Sequence, residues 1–117
     1  MKVKYLGGNM SVKLLEHLRD ELIGSGAVRN TPEFCRAWLG RSEGYIRTLR
    51  NHGTGPSVET LAPCSHKLGH YAERLRATGT AEHGKLALQF ERLKRLCDQT
   101  IARQAEAVWR TPDRMRA

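Results

Sequence analysis

The chain has 117 residues, the length of one typical domain, and carries 20 Lys and Arg against 12 Asp and Glu. The formal net charge of +8 attracts polyanions such as nucleic acids but does not select a fold. The three cysteines form no CxxC pair and no apolar stretch is long enough to cross a membrane, which argues against a zinc finger, a disulfide framework and a membrane protein. We therefore expect a cytoplasmic protein.

The first predicted element is a helix over residues 10–24. Apolar residues recur at helical spacing from Val12 to Ile23, with charged residues between them. Asn9 or Ser11 is the candidate N-cap, because a short polar side chain can accept a hydrogen bond from a free amide of the first turn. A Gly-Ser-Gly segment then ends the helix.

A second, short helix is predicted over residues 32–39. Thr31 is its candidate N-cap and Pro32 occupies the first helical position, where a missing N–H costs nothing. Ala37 is small, so we expect two helices to approach closely there. Gly40 ends the helix because glycine readily adopts the left-handed backbone conformation.

A third helix is predicted to begin with Ser42 as its N-cap and to end near residues 51–53. Ile46 and Leu49 are three residues apart and are expected to face the core. The remaining side chains of this helix are then available to solvent or to DNA.

A fourth predicted helix follows Ser57 as its N-cap. Pro63 lies near the sixth position of this helix, where it removes a hydrogen bond or causes a kink. A short fifth helix is predicted over residues 71–77, ended by Gly79.

The last predicted element is one long helix over residues 80–110, capped near Thr80. Its apolar residues recur at nearly heptad spacing. Two interpretations stay open: the apolar stripe faces a second copy of the chain, or the helix folds back on its own core. The candidate dimerisation residues on this stripe are Leu86, Phe90, Leu93, Cys97, Ile101 and Val108. The tail from Thr111 is expected to fray.

The expected fold is therefore all-α. Residues 1–79 form a bundle of about five short helices that contains a helix-turn-helix. Residues 80–117 form the long C-terminal helix, interpreted as a dimerisation element, and a basic tail.

Residues 31–68 combine a turn between two short helices, a pair of inward-facing apolar residues and the start of a following helix. These features are Leu39-Gly40-Arg41-Ser42, Ile46 with Leu49, and Pro56-Ser57-Val58-Glu59-Thr60-Leu61. Together they resemble the Cro/lambda-repressor-like (XRE-type) helix-turn-helix family. The resemblance implies that the helix beginning at Ser42 enters the major groove of DNA.

The same resemblance assigns roles to individual residues. Those expected at base edges are Ser42, Glu43, Gly44 and Arg47. Those expected nearer the phosphates are Arg41, Thr48, Arg50 and Asn51. Glu43 either accepts a hydrogen bond from cytosine or favours the helix N-terminus electrostatically. Tyr45 reaches a phosphate, stacks on a base or packs under the helix.

The sequence thus predicts a transcriptional regulator, expected to be a repressor, that binds a palindromic operator in double-stranded DNA as a homodimer. The alternative is a helical protein-interaction module, either antitoxin-like or a phage-encoded adaptor, whose long helix binds a protein partner. Binding to structured RNA is a third hypothesis, but no aromatic stacking platform supports it.

Enzymatic and metal-dependent functions have little support in the sequence. His66 and His70 are four residues apart with Cys64 nearby, but Gly69 lies between them and a fourth ligand is missing. No glycine-rich phosphate loop, paired-carboxylate site or nucleophile motif is present, and Cys35 is expected to be a small core residue. We therefore expect no catalytic residue, metal or cofactor.

Overall fold

The computed structural model describes the backbone of residues 2–115 and the side chains of residues 12–115. This part of the chain is helical and contains no strand, which confirms the all-α class with a long C-terminal helix. The helices are α1 (Lys2–Gly24), α2 (Thr31–Glu33, continued by a π-helical turn, Phe34–Trp38), α3 (Tyr45–His52), α4 (Val58–Ala77), α5 (Ala81–Trp109) and α6 (Pro112–Met115).

Helix α1 begins at Lys2, so the predicted start at residue 10 is wrong. The candidate caps Asn9 and Ser11 lie inside the helix, where the backbone amides have helical partners and need no side-chain cap. The predicted apolar face is present, because Leu15 and Leu18 are fully buried. The helix ends near the predicted glycines, and Gly26 has the left-handed φ of +84°.

Helix α2 is capped by Asn30 rather than by the predicted Thr31. The Asn30 side chain accepts a hydrogen bond from the Glu33 amide at 2.9 Å, and its extended backbone is suited to this role. The helix then widens into a π-helical turn, in which the Leu39 amide donates to the Phe34 carbonyl at 3.2 Å. Ala37 is exposed and does not lie at a close helix contact as predicted, because its neighbours on the turn face the core.

Helix α4 runs without interruption through Pro63, so the predicted separate helix over residues 71–77 is wrong. The proline leaves the Glu59 carbonyl without its helical donor. Both residues lie on the exposed side of the helix, where water can serve that carbonyl. The predicted cap is confirmed, since the Ser57 hydroxyl accepts a hydrogen bond from the Thr60 amide at 3.3 Å.

Helix α5 folds back on α4 after a turn at Gly79, whose φ is +77°. The predicted cap is again confirmed, because the Thr80 hydroxyl accepts from the His83 amide at 3.1 Å. Buried residues from both sides of Gly79 form one cluster, so that α5 completes the core of the helices before it. The buried residues of α5 are Ala87, Phe90, Leu93, Cys97 and Thr100.

The apolar stripe of α5 is thus largely covered within the chain. Phe90, Leu93 and Cys97 are buried, and Leu86 and Ile101 are half-buried against the same core. The remaining member of the candidate dimerisation set, Val108, is 51% exposed. Of the two open interpretations, packing on its own core describes the central part of the helix.

Polar contacts add to the packing of α4 on α5. The Ser65 hydroxyl donates to the Asp98 carboxylate, and the Lys94 ammonium donates to Asp98 Oδ2 at 3.0 Å. Partial burial raises the pKa of the Asp98 carboxyl, but these two hydrogen bonds and the Lys94 charge lower it by more, so the net pKa lies below its ordinary value. Arg76 and Glu91 form a bidentate ion pair with two contacts of 2.7 Å.

The last described residues form the short helix α6, where a frayed tail was predicted from Thr111. The amides of Arg114 and Met115 both donate to the Thr111 carbonyl, at 3.1 and 3.0 Å. Every residue from 105 to 115 is exposed. No helix in the described residues has both the length and the apolar character needed to cross a membrane.

Replacing Leu93 by alanine tests whether α5 belongs to the protomer core. Leu93 is fully buried, so Leu93→Ala should lower the free energy of unfolding by about 2–5 kcal/mol. The matched variant Leu88→Ala removes a side chain that is 55% exposed and should change it by less than about 0.5 kcal/mol. Denaturant titrations of both variants provide the measurement.

The same titrations at several protein concentrations separate core packing from dimerisation. A loss that does not depend on concentration is expected for a residue inside the protomer. If Leu93→Ala lowers the free energy of unfolding only at concentrations where the protein self-associates, the packing of α5 on its own core is contradicted.

Candidate nucleic-acid interface

Helix α3 has one apolar face and one polar face. Ile46 and Leu49 are buried, as predicted. At 100° per residue, Arg47, Thr48 and Asn51 lie on the opposite side of the helix, and all three are exposed. The helix therefore has a narrow, solvent-exposed polar surface. The polar surface of α3 is defined here as Arg47, Thr48 and Asn51.

The helix begins at Tyr45, so the predicted start with Ser42 as N-cap is wrong. Gly44 occupies the N-cap position with φ −94° and ψ 13°, and because glycine has no side chain the first turn has no side-chain cap. Ser42 contributes its backbone instead, because its carbonyl accepts from the Tyr45 amide at 3.1 Å. Gly40 has the left-handed φ of +66°, as predicted for the end of the preceding helix.

An ion pair spans the turn between α2 and α3. Arg36 Nη1 donates to Glu43 Oε2 at 2.5 Å, and both side chains are more than half exposed. Glu43 is therefore engaged by α2 rather than placed in the first turn of α3. A hydrogen bond from cytosine to Glu43 would require this ion pair to open.

The buried hydroxyl of Thr60 joins the turn to the start of α4. It accepts hydrogen bonds from Arg41 Nε at 2.9 Å and from the Tyr45 hydroxyl at 3.3 Å. A threonine hydroxyl has two lone pairs and one proton, so the proton is left to donate to Ser57 Oγ at 3.2 Å. Every hydrogen-bonding position of this hydroxyl is then filled.

The contacts with Thr60 also fix the positions of Arg41 and Tyr45, two of the predicted DNA-contacting residues. The Arg41 guanidinium lies 5.6 Å from the centre of the Tyr45 ring, within the range of a cation–π contact. Tyr45 is half-buried, and its hydroxyl points to Thr60. Of the three roles open to Tyr45, its position in this structure corresponds to packing under the helix.

Arg50 lies against α1 through an ion pair with Glu16. Its Nη2 and Nε atoms donate to Glu16 Oε2 at 2.6 and 3.2 Å. The predicted phosphate contact by Arg50 would compete with this pair. In this structure the Arg50–Glu16 ion pair ties the C-terminal half of α3 to α1.

Arg47 differs from these neighbours. Among the described residues it has no hydrogen-bond or ion-pair partner, whereas Arg36, Arg41 and Arg50 each have one. Its guanidinium lies over Gly44, where an added Cβ would come within 3.2 Å of Arg47 Nη2. Glycine at position 44 therefore leaves room for Arg47 at the exposed start of α3.

The histidines considered as metal ligands are both exposed. The His70 ring packs against Tyr71 with a centroid distance of 5.2 Å, and Gly69 leaves space for the Lys94 stem. Across the described part of the chain, no three His, Cys, Asp or Glu side chains gather into a metal-binding group.

The three cysteines are buried. The neighbouring Cys64 thiol and burial raise the pKa of the Cys97 thiol, which suppresses the reactive thiolate. Cys35 lies in the core, as predicted.

Two residues that position this surface, Glu16 and Thr60, are not among the site residues predicted from the sequence. Each meets its arginine across a large separation in the chain, and local patterns carry no signal for such contacts. Thr60 was noted only as part of the run that follows Pro56.

Comparison of the sequence with known protein families gives a family assignment but no function. Residues 15–110 match a family described as a family of unknown function, DUF6626. The chain belongs to the DUF6626 family. The matched region extends from α1 to the end of α5, so it includes both the helix-turn-helix segment and the α4–α5 hairpin. Neither the curated proteins nor the solved structures gave a match.

In this DUF6626 protein, replacing Thr60 by valine tests the role of its hydroxyl. Thr60→Val keeps the shape but removes the acceptor shared by Arg41 and Tyr45, so the free energy of unfolding should fall by about 1–2 kcal/mol. Thr48→Val makes the same change at an exposed position of α3 and should change the free energy of unfolding by less than about 0.5 kcal/mol. Equal effects in denaturant titrations would contradict the role assigned to Thr60.

Proposed function

We propose that this protein is a sequence-specific, DNA-binding transcriptional regulator that inserts the polar surface of α3 into the major groove. The observation that carries the proposal is the position of Arg47, which is exposed and has no hydrogen-bond or ion-pair partner among the described residues, near the start of the short helix α3. Arginine is well suited to this position, because its guanidinium can bind guanine O6 and N7 at once. The net charge of +8 favours approach to DNA.

The intramolecular contacts divide the predicted DNA-binding residues into two groups. In the first group Arg47 reads a base edge, and Thr48 and Asn51 lie nearer the phosphates on the same polar surface; Ser42 is also exposed. Residues held by other parts of the chain fix the angle of the helix, and they are Arg41, Glu43, Tyr45 and Arg50. Gly44 gives the space in which Arg47 lies.

In this proposal the regulator acts as a homodimeric repressor in the cytoplasm, on an operator with two related half-sites. Two-fold symmetry in the protein then corresponds to two-fold symmetry in the DNA. Because the central part of the α5 stripe is buried, a second copy would meet the exposed end of this helix. Val108 and Trp109 are about half exposed there, as is Met115 of α6.

The same exposed end supports a second candidate function, that of a protein-interaction module. The Gln104 side chain donates to the Pro56 carbonyl at 3.0 Å, and every described residue beyond it is exposed. Tryptophan on a protruding helix is a typical anchor of a protein interface. In this alternative α5 binds a different protein, and DNA binding is auxiliary.

Selection of bound sequences from a random duplex pool distinguishes the two functions. The purified protein is used at near-physiological salt, because a basic protein binds all DNA at low salt. Enrichment of an inverted repeat supports the regulator and gives the half-site spacing. Absence of enrichment, together with a stable complex with another protein, supports the interaction module.

Arg47→Ala tests the placement of α3 on the selected sequence. The variant should lose about 1–3 kcal/mol of binding free energy and relax the preference at one base pair. Arg50→Ala is the matched control on the same helix, because Arg50 is bound to Glu16 and should not set base preference. Competition binding against single-base variants of the site measures both effects. If Arg47→Ala keeps the wild-type preference, α3 does not read the bases as proposed.

A further inference from the structure

An open groove lies between the end of α2 and the α4–α5 hairpin, away from the polar surface of α3. It encloses about 360 Å³, within the size range of small-molecule sites. Its lining residues include Glu33, Ala37 and Trp38 of α2, Lys67 and Tyr71 of α4, and Phe90 of α5.

Three aromatic rings form the apolar part of the groove. Trp38 and Phe90 are buried and meet edge to face, with 6.0 Å between ring centres. Tyr71 lies 6.1 Å from Trp38 and is 41% exposed, so its ring offers an open surface. Aromatic rings favour planar partners, either stacked or edge to face.

Lys67 supplies the positive charge of the groove. Its ammonium lies 4.5 Å from the centre of a Trp38 ring and donates to the Ala37 carbonyl at 2.7 Å. This second contact satisfies a carbonyl at the end of α2, which is a structural role. An ammonium group has three donors, so donors remain for a further acceptor.

The carboxylate in the groove is already compensated. Glu33 Oε1 accepts from the Arg29 amide at 2.9 Å and from Arg29 Nε at 3.2 Å. Lys67 is therefore the cation that lacks a carboxylate partner among the residues lining the groove. Glu33 would still repel a second negative charge on a ligand.

We propose that this groove binds a small planar aromatic molecule with a single carboxylate. The aromatic ring lies against Trp38 and Tyr71, and the carboxylate accepts hydrogen bonds from Lys67. This site uses none of the residues of the α3 polar surface, so its binding can be tested without DNA.

Two indole compounds with opposite charges test the proposal with the full chain. Indole-3-acetate has the proposed chemistry, whereas tryptamine has the same ring with an ammonium group. The NMR signal of the Trp38 indole N–H reports binding, and the Trp109 signal at the exposed end of α5 is the internal control. Indole-3-acetate should bind with a Kd at least about tenfold smaller, because a charge-assisted hydrogen bond contributes that much.

Two variants connect the binding to the groove. Lys67→Met should abolish the difference between the two compounds, whereas Lys85→Met, at an exposed position of α5, should preserve it. Ala37→Phe fills the groove from an exposed residue and should prevent binding with the fold intact, so it decides the outcome even where Lys67→Met destabilises α2.

Three results would overturn the proposal. The first is an unchanged Trp38 signal at millimolar indole-3-acetate. The second is equal or tighter binding of tryptamine. The third is binding that survives Ala37→Phe in a folded protein.

Discussion

The burial of one face of α5 against α4 is the contact on which the rest of the molecule depends. It covers Leu93 and Cys97 completely and fixes α4 as a rigid support for the helices before it. Thr60 lies in the first turn of that support, and its hydroxyl holds the turn that leads into α3. The orientation of α3, which eight residues could not maintain alone, is thus set by contacts with α4 and, through Arg50 and Glu16, with α1.

The positive charge of the chain is less available than its total suggests. Around α3, the charges of Arg36 and Arg50 are balanced by Glu43 and Glu16. Exposed ion pairs of this kind contribute little to stability, but they remove cations from the surface that a polyanion meets. Arg47 is left as the local charge on the polar surface of α3. This distribution of charge is more consistent with sequence-specific recognition by the Arg47 side chain than with non-specific electrostatic binding to DNA.

Local sequence signals predicted much of the fold. The helix order, the caps at Ser57 and Thr80 and the glycine turn at residue 40 all follow from residues close together in the chain. The continuation of α4 through Pro63 could not be predicted in this way. The free-energy cost of the missing hydrogen bond depends on whether that side of the helix faces water, which local sequence does not specify. At the candidate site, the two faces of α3 were predictable from periodicity, whereas the ion pairs and the Thr60 contacts join distant segments and have no local pattern.

The π-helical turn of α2 is shared by two parts of the molecule. Its last residue, Trp38, forms the floor of the groove, and the segment that follows it leads directly into the turn before α3. If DNA and the carboxylate ligand each favour a particular conformation of this turn, the binding of one will alter the affinity for the other. Thermodynamic linkage makes such coupling reciprocal, so DNA would change the affinity for the carboxylate by the same factor.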